Sequence, residues 1–169
     1  MSDEQTVNFM GAEIKVLGEE LKTLDAAMNG LKHEKYNINK EEKEIKKLEK
    51  LVNHIKKEIQ ELQRFIVENM TAMRKDPKLI EQIIDKYIEI HEAYLTLHNI
   101  FAEYGQSFKK KADAQLKSQP LYSNLEREYN ISRELMRGIQ RGLFGSESYA
   151  NYKKEDLIQQ FKRTQFTHA

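Results

Sequence analysis

The chain has 169 residues, with 28 Lys+Arg balanced by 27 Asp+Glu, and with seven Gly, two Pro and neither Cys nor Trp. So few turn-forming residues exclude a sandwich, a barrel or a many-turned α/β fold, and 33% charged against 39% apolar residues describes long helices with narrow apolar seams. The lack of cysteine removes disulfides, thiolate metal sites and cysteine nucleophiles, and a net charge of +1 gives no overall pull toward nucleic acid or anionic membrane.

The first helix is read over about residues 5–36. Val7, Met10, Ile14, Leu17, Leu21, Leu24, Met28 and Leu31 alternate steps of three and four, which is a heptad seam. The residues between them are mostly charged, so the seam needs a partner helix inside the chain or outside it. The register fails at Lys35, and Tyr36-Asn37-Ile38-Asn39 is read as a turn, with a continuous helix as the alternative.

A second helix is expected over 40–75, with Ile45, Leu48, Val52, Ile55, Ile59, Leu62, Ile66, Asn69 and Met73 along its seam and Leu51 and Phe65 widening it. Asp76-Pro77 ends it and starts the next helix, because proline cannot continue a helix yet suits a first helical position. The third helix, 77–117, carries Ile80, Ile83, Tyr87, Ile90, Tyr94, Leu97, Phe101, Tyr104 and Phe108 in unbroken three-four steps. The short connection implies an antiparallel hairpin of helices two and three.

After Ser118-Gln119-Pro120 a fourth helix is read from about Leu121 to Leu143, with Leu121, Leu125, Tyr129, Leu135 or Met136, Ile139 and Leu143 on one side. A last short helix spans roughly Tyr149 to Thr164. The fold class is therefore all-α: an elongated antiparallel hairpin or bundle with coiled-coil heptad seams over 1–117, and a short C-terminal helical subunit, 118–169, packing on or beside it. The aromatic tail, with Phe144, Tyr149, Tyr152, Phe161 and Phe166, either caps the bundle or anchors a partner.

Motifs for catalysis, cofactors and metals are missing. No Glu-x-x-His pair offers di-iron ligands, and His91-Glu92-Ala93-Tyr94-Leu95 has Leu95 where a zinc protease helix needs its second histidine. His91 and His98 share a helix face two turns apart, about 10.5 Å along the axis, too far for one metal ion. No phosphate-binding glycine loop or nucleophile elbow occurs. The expectation is a non-enzyme with no catalytic, cofactor-binding or metal-binding residues and no cofactor.

Charge is distributed unevenly. Residues 76–108 carry two lysines against six carboxylates, net −4, and residues 109–144 carry eight cations against four carboxylates, net +4. Arg133, Arg137 and Arg141 stand four apart on one face, a guanidinium row suited to carboxylates or phosphates. The expected function is a helical adaptor, scaffold or assembly subunit, a homo- or hetero-oligomer. It would bind other helices through Ile14, Leu17, Leu21, Leu24 and Met28, and an acidic partner through Arg133, Arg137 and Arg141. The alternatives are a holding chaperone for a secretion or assembly client and a nucleic-acid or anion binder using the arginine face. An acidic N-terminal stretch and the lack of a long apolar run lead to the expectation of a soluble, cytoplasmic protein without signal peptide or membrane span.

Overall fold

The structure, a computed structural model, describes residues 18–29, 38–114, 119–145 and 153–166. All of these are helical except Asn69, Asp76, Lys153 and Gly145, and no strand occurs among them. The helices are α1 (residues 18–29), α2 (Ile38–Glu68), α3 (Met70–Lys75), α4 (Pro77–Ala114), α5 (Gln119–Phe144) and α6 (Lys154–Phe166). The expected turn at 36–39 lies mostly outside the described residues, with α2 already helical from Ile38. No helix among the described residues is long and apolar enough to cross a membrane.

The expected helix over 40–75 is divided at Asn69, but lightly. The Asn69 amide still donates to the Phe65 carbonyl at 3.0 Å and the Met73 amide to the Asn69 carbonyl at 3.0 Å, so the helical ladder passes through. The Asn69 side-chain amide also donates to the Phe65 carbonyl, at 2.7 Å, and this local competition with the backbone is the physical reason the helix falters there. Asp76 then takes extended backbone angles, φ −127° and ψ 98°. Its carboxylate accepts the Lys78 amide at 3.0 Å, which caps the helix that Pro77 opens.

The 38 residues of α4 span about 57 Å, and the chain doubles back along them twice. Side-chain pairs fix the register of α5 against α4: the Tyr122 hydroxyl donates to the Gly105 carbonyl at 3.0 Å, Tyr129 meets His98 at 2.6 Å, and Gln140 Nε2 donates to the Tyr87 hydroxyl at 3.1 Å. One partner number rises as the other falls, so the two helices are antiparallel. Against α2 both numbers rise together, Glu49 with Asn124 at 2.6 Å and Lys56 with Glu128, so α2 and α5 run parallel. The result is an all-α bundle of α2, α4 and α5, with α5 seated on α2 as well as on α4.

Leu21, Leu24 and Met28 of α1 are buried in the same continuous core. Glu19, Glu20, Thr23, Leu24 and Ala27 line a shallow groove together with Glu44, Lys47, Lys50 and Leu51, so α1 lies along the N-terminal half of α2. On α5 the buried face is Tyr122, Leu125, Tyr129, Ser132, Met136, Ile139 and Leu143, with Gln140 and Phe144 beside it. Tyr122 replaces the expected Leu121, and Ser132 fills a seam position that hydropathy alone leaves blank. Its hydroxyl is satisfied by donating to the Tyr129 carbonyl at 2.6 Å, which makes burial of a polar side chain tolerable.

The α6 helix closes the end of the bundle where α4 begins and α5 stops. Leu157 and Phe161 are buried there. Gln160 Nε2 donates to the Phe144 carbonyl at 2.9 Å and Gln165 Nε2 to the Gly142 carbonyl at 2.7 Å, so α6 satisfies carbonyls that the end of α5 leaves without helical donors. Gly145 ends α5 at φ 74°, a left-handed conformation that an L residue adopts only with strain. Lys154 binds both Glu81, at 2.8 Å, and Asp85, at 2.9 Å, tying α6 to the first turns of α4. Phe144, Phe161 and Phe166 of the aromatic tail thus serve as a cap, with the Arg74 guanidinium 5.5 Å from the centre of the Phe166 ring. Tyr149 and Tyr152 lie outside the described residues.

Candidate functional site

The sequence places tyrosines in the α4 seam at Tyr87, Tyr94 and Tyr104 and histidines beside it at His91 and His98. In the fold, steps of four, three and four put Tyr87, His91, Tyr94 and His98 on one stripe facing α5. Each aromatic leans on the next: Tyr87 stacks on His91 at 5.7 Å between centres, Tyr94 on His98 at 6.2 Å, and Tyr129 of α5 lies flat against Phe101 at 3.9 Å and 9°. Tyr87 also meets Phe144 edge to face at 5.0 Å.

Three polar side chains converge at the middle of this stripe. Tyr129 is bonded to His98 Nδ1 at 2.6 Å, and Tyr94 stacks on the same imidazole. Tyr94 and Tyr129 are buried and His98 is exposed, so the cluster runs from the core to the surface. Burial pushes the Tyr94 hydroxyl up to about 12 and raises Tyr129, while Arg133 and Arg137 pull both in the opposite direction. Both phenols are therefore protonated at neutral pH and act as hydrogen-bonding groups rather than as nucleophiles. Among the described residues no group of three or more His, Asp or Glu is placed to hold a metal ion.

Of the anticipated partner-binding residues, Arg133 and Arg137 act on this cluster, whereas Arg141 stands about two turns farther along α5. A helix of 3.6 residues per turn rotates by about 40° for every four-residue step, so the row spirals rather than standing on one face. Arg133 is half-buried at the edge of the α4/α5 seam, and Arg137 and Arg141 are exposed. Arg137 pairs with Glu134 at 3.3 Å. The antiparallel register puts Arg133 level with Tyr94, one turn beyond Tyr129, and its Nε is buried with no hydrogen-bond partner among the described residues.

The other expected surface, the α1 seam, is placed differently. Leu21, Leu24 and Met28 are at most 3% exposed in the single chain, so they are consumed by α2 and its neighbours and do not form an open face for another protein. Ile14 and Leu17 lie outside the described residues. The physical reason is simple: a narrow heptad stripe cannot distinguish an intrachain neighbour from an external one, and here the rest of the chain supplies the neighbour.

His91 differs from His98 in being buried, stacked on Tyr87, and burial lowers its pKa below the ordinary value near 6.5. The unfolded chain then takes up this proton before the folded one does. The stabilising contribution is complete above about pH 6.5 and is lost as pH falls below it toward the depressed folded value. The denaturation midpoint should therefore fall between pH 7.5 and 5, and the fall should be smaller in His91→Phe; an identical slope in the two proteins would remove His91 from the account.

No family model, curated protein or solved structure matches the chain.

Proposed function

We propose that this protein is a non-enzymatic, cytoplasmic helical adaptor or assembly subunit that holds an acidic protein partner against the arginine edge of α5. The observation that carries this reading is the spiral of Arg133, Arg137 and Arg141. The apolar face of α5 is consumed in the core, yet the same helix keeps two guanidiniums exposed at one-turn spacing and a third half-buried beside them. Arginine forks bind carboxylates in a bidentate manner, and a helix presenting glutamates at the same spacing would match the row.

In this reading the self-pairing expected of the first helix gives way to α5, because Leu21, Leu24 and Met28 are buried within the chain. The test is affinity capture from the native cell with the full chain and with a variant carrying Arg133→Glu, Arg137→Glu and Arg141→Glu. A stoichiometric acidic protein should be recovered with the first and lost with the second, while circular dichroism shows unchanged helicity. Recovery of the same proteins by both would overturn the assignment. Recovery of nucleic acid instead, with binding that falls steeply in salt, would replace it by the nucleic-acid reading.

A further inference from the structure

The outward side of α2 carries charge that neither the core nor the arginine edge of α5 uses. Between residues 43 and 67 the exposed positions of this helix are Lys43, Lys46, Lys47, Lys50, Asn53, His54, Lys57, Gln60, Arg64 and Val67. Six of them are Lys or Arg and none is a carboxylate, although α2 contains seven glutamates. The glutamates of this stretch are turned aside: Glu58 is buried, and Glu44, Glu49 and Glu61 are half-buried. In a chain of net charge +1 the charges are thus sorted, and one helix face, about 32 Å from Lys43 to Arg64, shows water positive charge alone. We propose that this face binds the phosphate backbone of a double-stranded nucleic acid without reading its sequence.

Pairing within the chain leaves the cations available. Lys43, Lys46, Lys50 and Arg64 form no ion pair among the described residues, and Lys47 and Lys57 make only loose contacts, each 3.7 Å, with Glu44 and Glu61. Cations gathered on one face repel each other, and a polyanion relieves that repulsion while releasing its own condensed counterions. Lys46, Lys50, Asn53 and His54 also line a shallow groove that α2 forms with Leu121, near the start of α5. The one carboxylate of that groove, Glu49, accepts the Asn124 side chain at 2.6 Å and is thereby engaged. Asn53 and His54 add hydrogen-bond donors for phosphate oxygens. On the opposite flank Glu19, Glu20 and Glu44 line the groove between α1 and α2 beside Lys47 and Lys50, so an anion is steered to the α5 side.

The kind of polyanion follows from what the face lacks. No aromatic side chain is among its exposed positions, so it offers no platform for unpaired bases to stack on. Val67 is its only exposed apolar residue and lies at its far end. There is therefore neither the central apolar anchor that holds a protein interface nor a hydrophobic side to enter a bilayer. A duplex backbone needs neither. It presents a regular line of charge, and one turn of duplex, about 34 Å, matches the length of the face. This reading uses a different helix from the acidic-partner reading and does not depend on it.

The test is fluorescence anisotropy of a labelled DNA duplex two helical turns long, titrated with the full chain over a series of sodium chloride concentrations. Affinity should be indifferent to sequence, and the logarithm of the association constant should fall against that of salt with a slope of about −4, the value for four phosphates. Lys46→Gln with Lys50→Gln removes two exposed cations that pair with nothing among the described residues. The slope should shrink by about 2 and affinity at low salt should fall at least about tenfold, with circular dichroism and the melting midpoint unchanged. Arg133→Gln with Arg137→Gln and Arg141→Gln on α5 should keep the slope. A duplex left unbound at low salt, or a slope lost in the arginine variant and kept in the lysine variant, would overturn the assignment. So would tighter binding of phosphatidylserine vesicles, which would make the face a membrane surface, or of polyglutamate, which would make it a protein one. None of these readouts depends on which protein the α5 arginines recover.

Discussion

Replacing Phe144 with alanine should destabilise the protein by about 3–5 kcal/mol, the range for removing a large aromatic from a packed core. Phe144 is fully buried at the point where α4, α5 and α6 meet, and its ring stands edge-on to Tyr87. Its backbone carbonyl accepts the Gln160 side chain, so a shift of this residue also disturbs the capping of α5 by α6. Chemical denaturation measures the loss. A neighbouring substitution separates packing from polarity: Tyr87→Phe keeps the ring and removes only the hydroxyl that accepts from Gln140, so its cost should be nearer 1 kcal/mol. Equal costs for the two variants would mean that the α4/α5/α6 junction is held by the hydrogen bond rather than by the rings.

The same junction shows why the fold was legible in the sequence and where legibility stopped. Steps of three and four mark burial because they bring side chains onto one stripe, and every residue expected on the α2 seam from Ile45 to Ile66 is buried, as are Ile80, Ile83, Tyr87, Ile90, Tyr94, Leu97, Tyr104 and Phe108 of α4. Asp76-Pro77 marked the reversal because proline and an acidic cap act locally. Hydropathy failed at Ser132, where a small hydroxyl occupies a seam position by bonding to the backbone of its own helix, a feature set by packing room and not by apolar character. The capping of α5 by Gln160 and Gln165 was also hidden, since no local pattern tells which distant carbonyls a glutamine will reach.

The candidate site was legible in part. Arg133, Arg137 and Arg141 stood out by charge and spacing, but a four-residue step overshoots a helical turn, and the resulting rotation gives one arginine a half-buried role and leaves two at the surface. The tyrosines on the α4 stripe carried the second signal, because a buried hydroxyl needs a partner. Which partner could not be read, as His98 lies 31 residues from Tyr129 and meets it only through the antiparallel register of α4 and α5. A site built from two helices becomes visible when their relative registration is known.

Replacing Leu21 with alanine should lower stability by about 2–5 kcal/mol and leave the molecular mass in solution unchanged. Leu21 has no exposed surface and belongs to the core that also holds Leu24, Met28 and the apolar face of α2. Truncation therefore opens a cavity inside one chain instead of removing an anchor from an interface, and the transfer and cavity terms both weigh against folding. Denaturation midpoints and light scattering, measured on the same samples, separate the two roles. A fall in mass with an unmoved midpoint would show that the α1 seam pairs with a second molecule, and the partner-binding role would return from α5 to the first helix. A lowered midpoint at constant mass places Leu21 in the core of a single chain, as its complete burial implies.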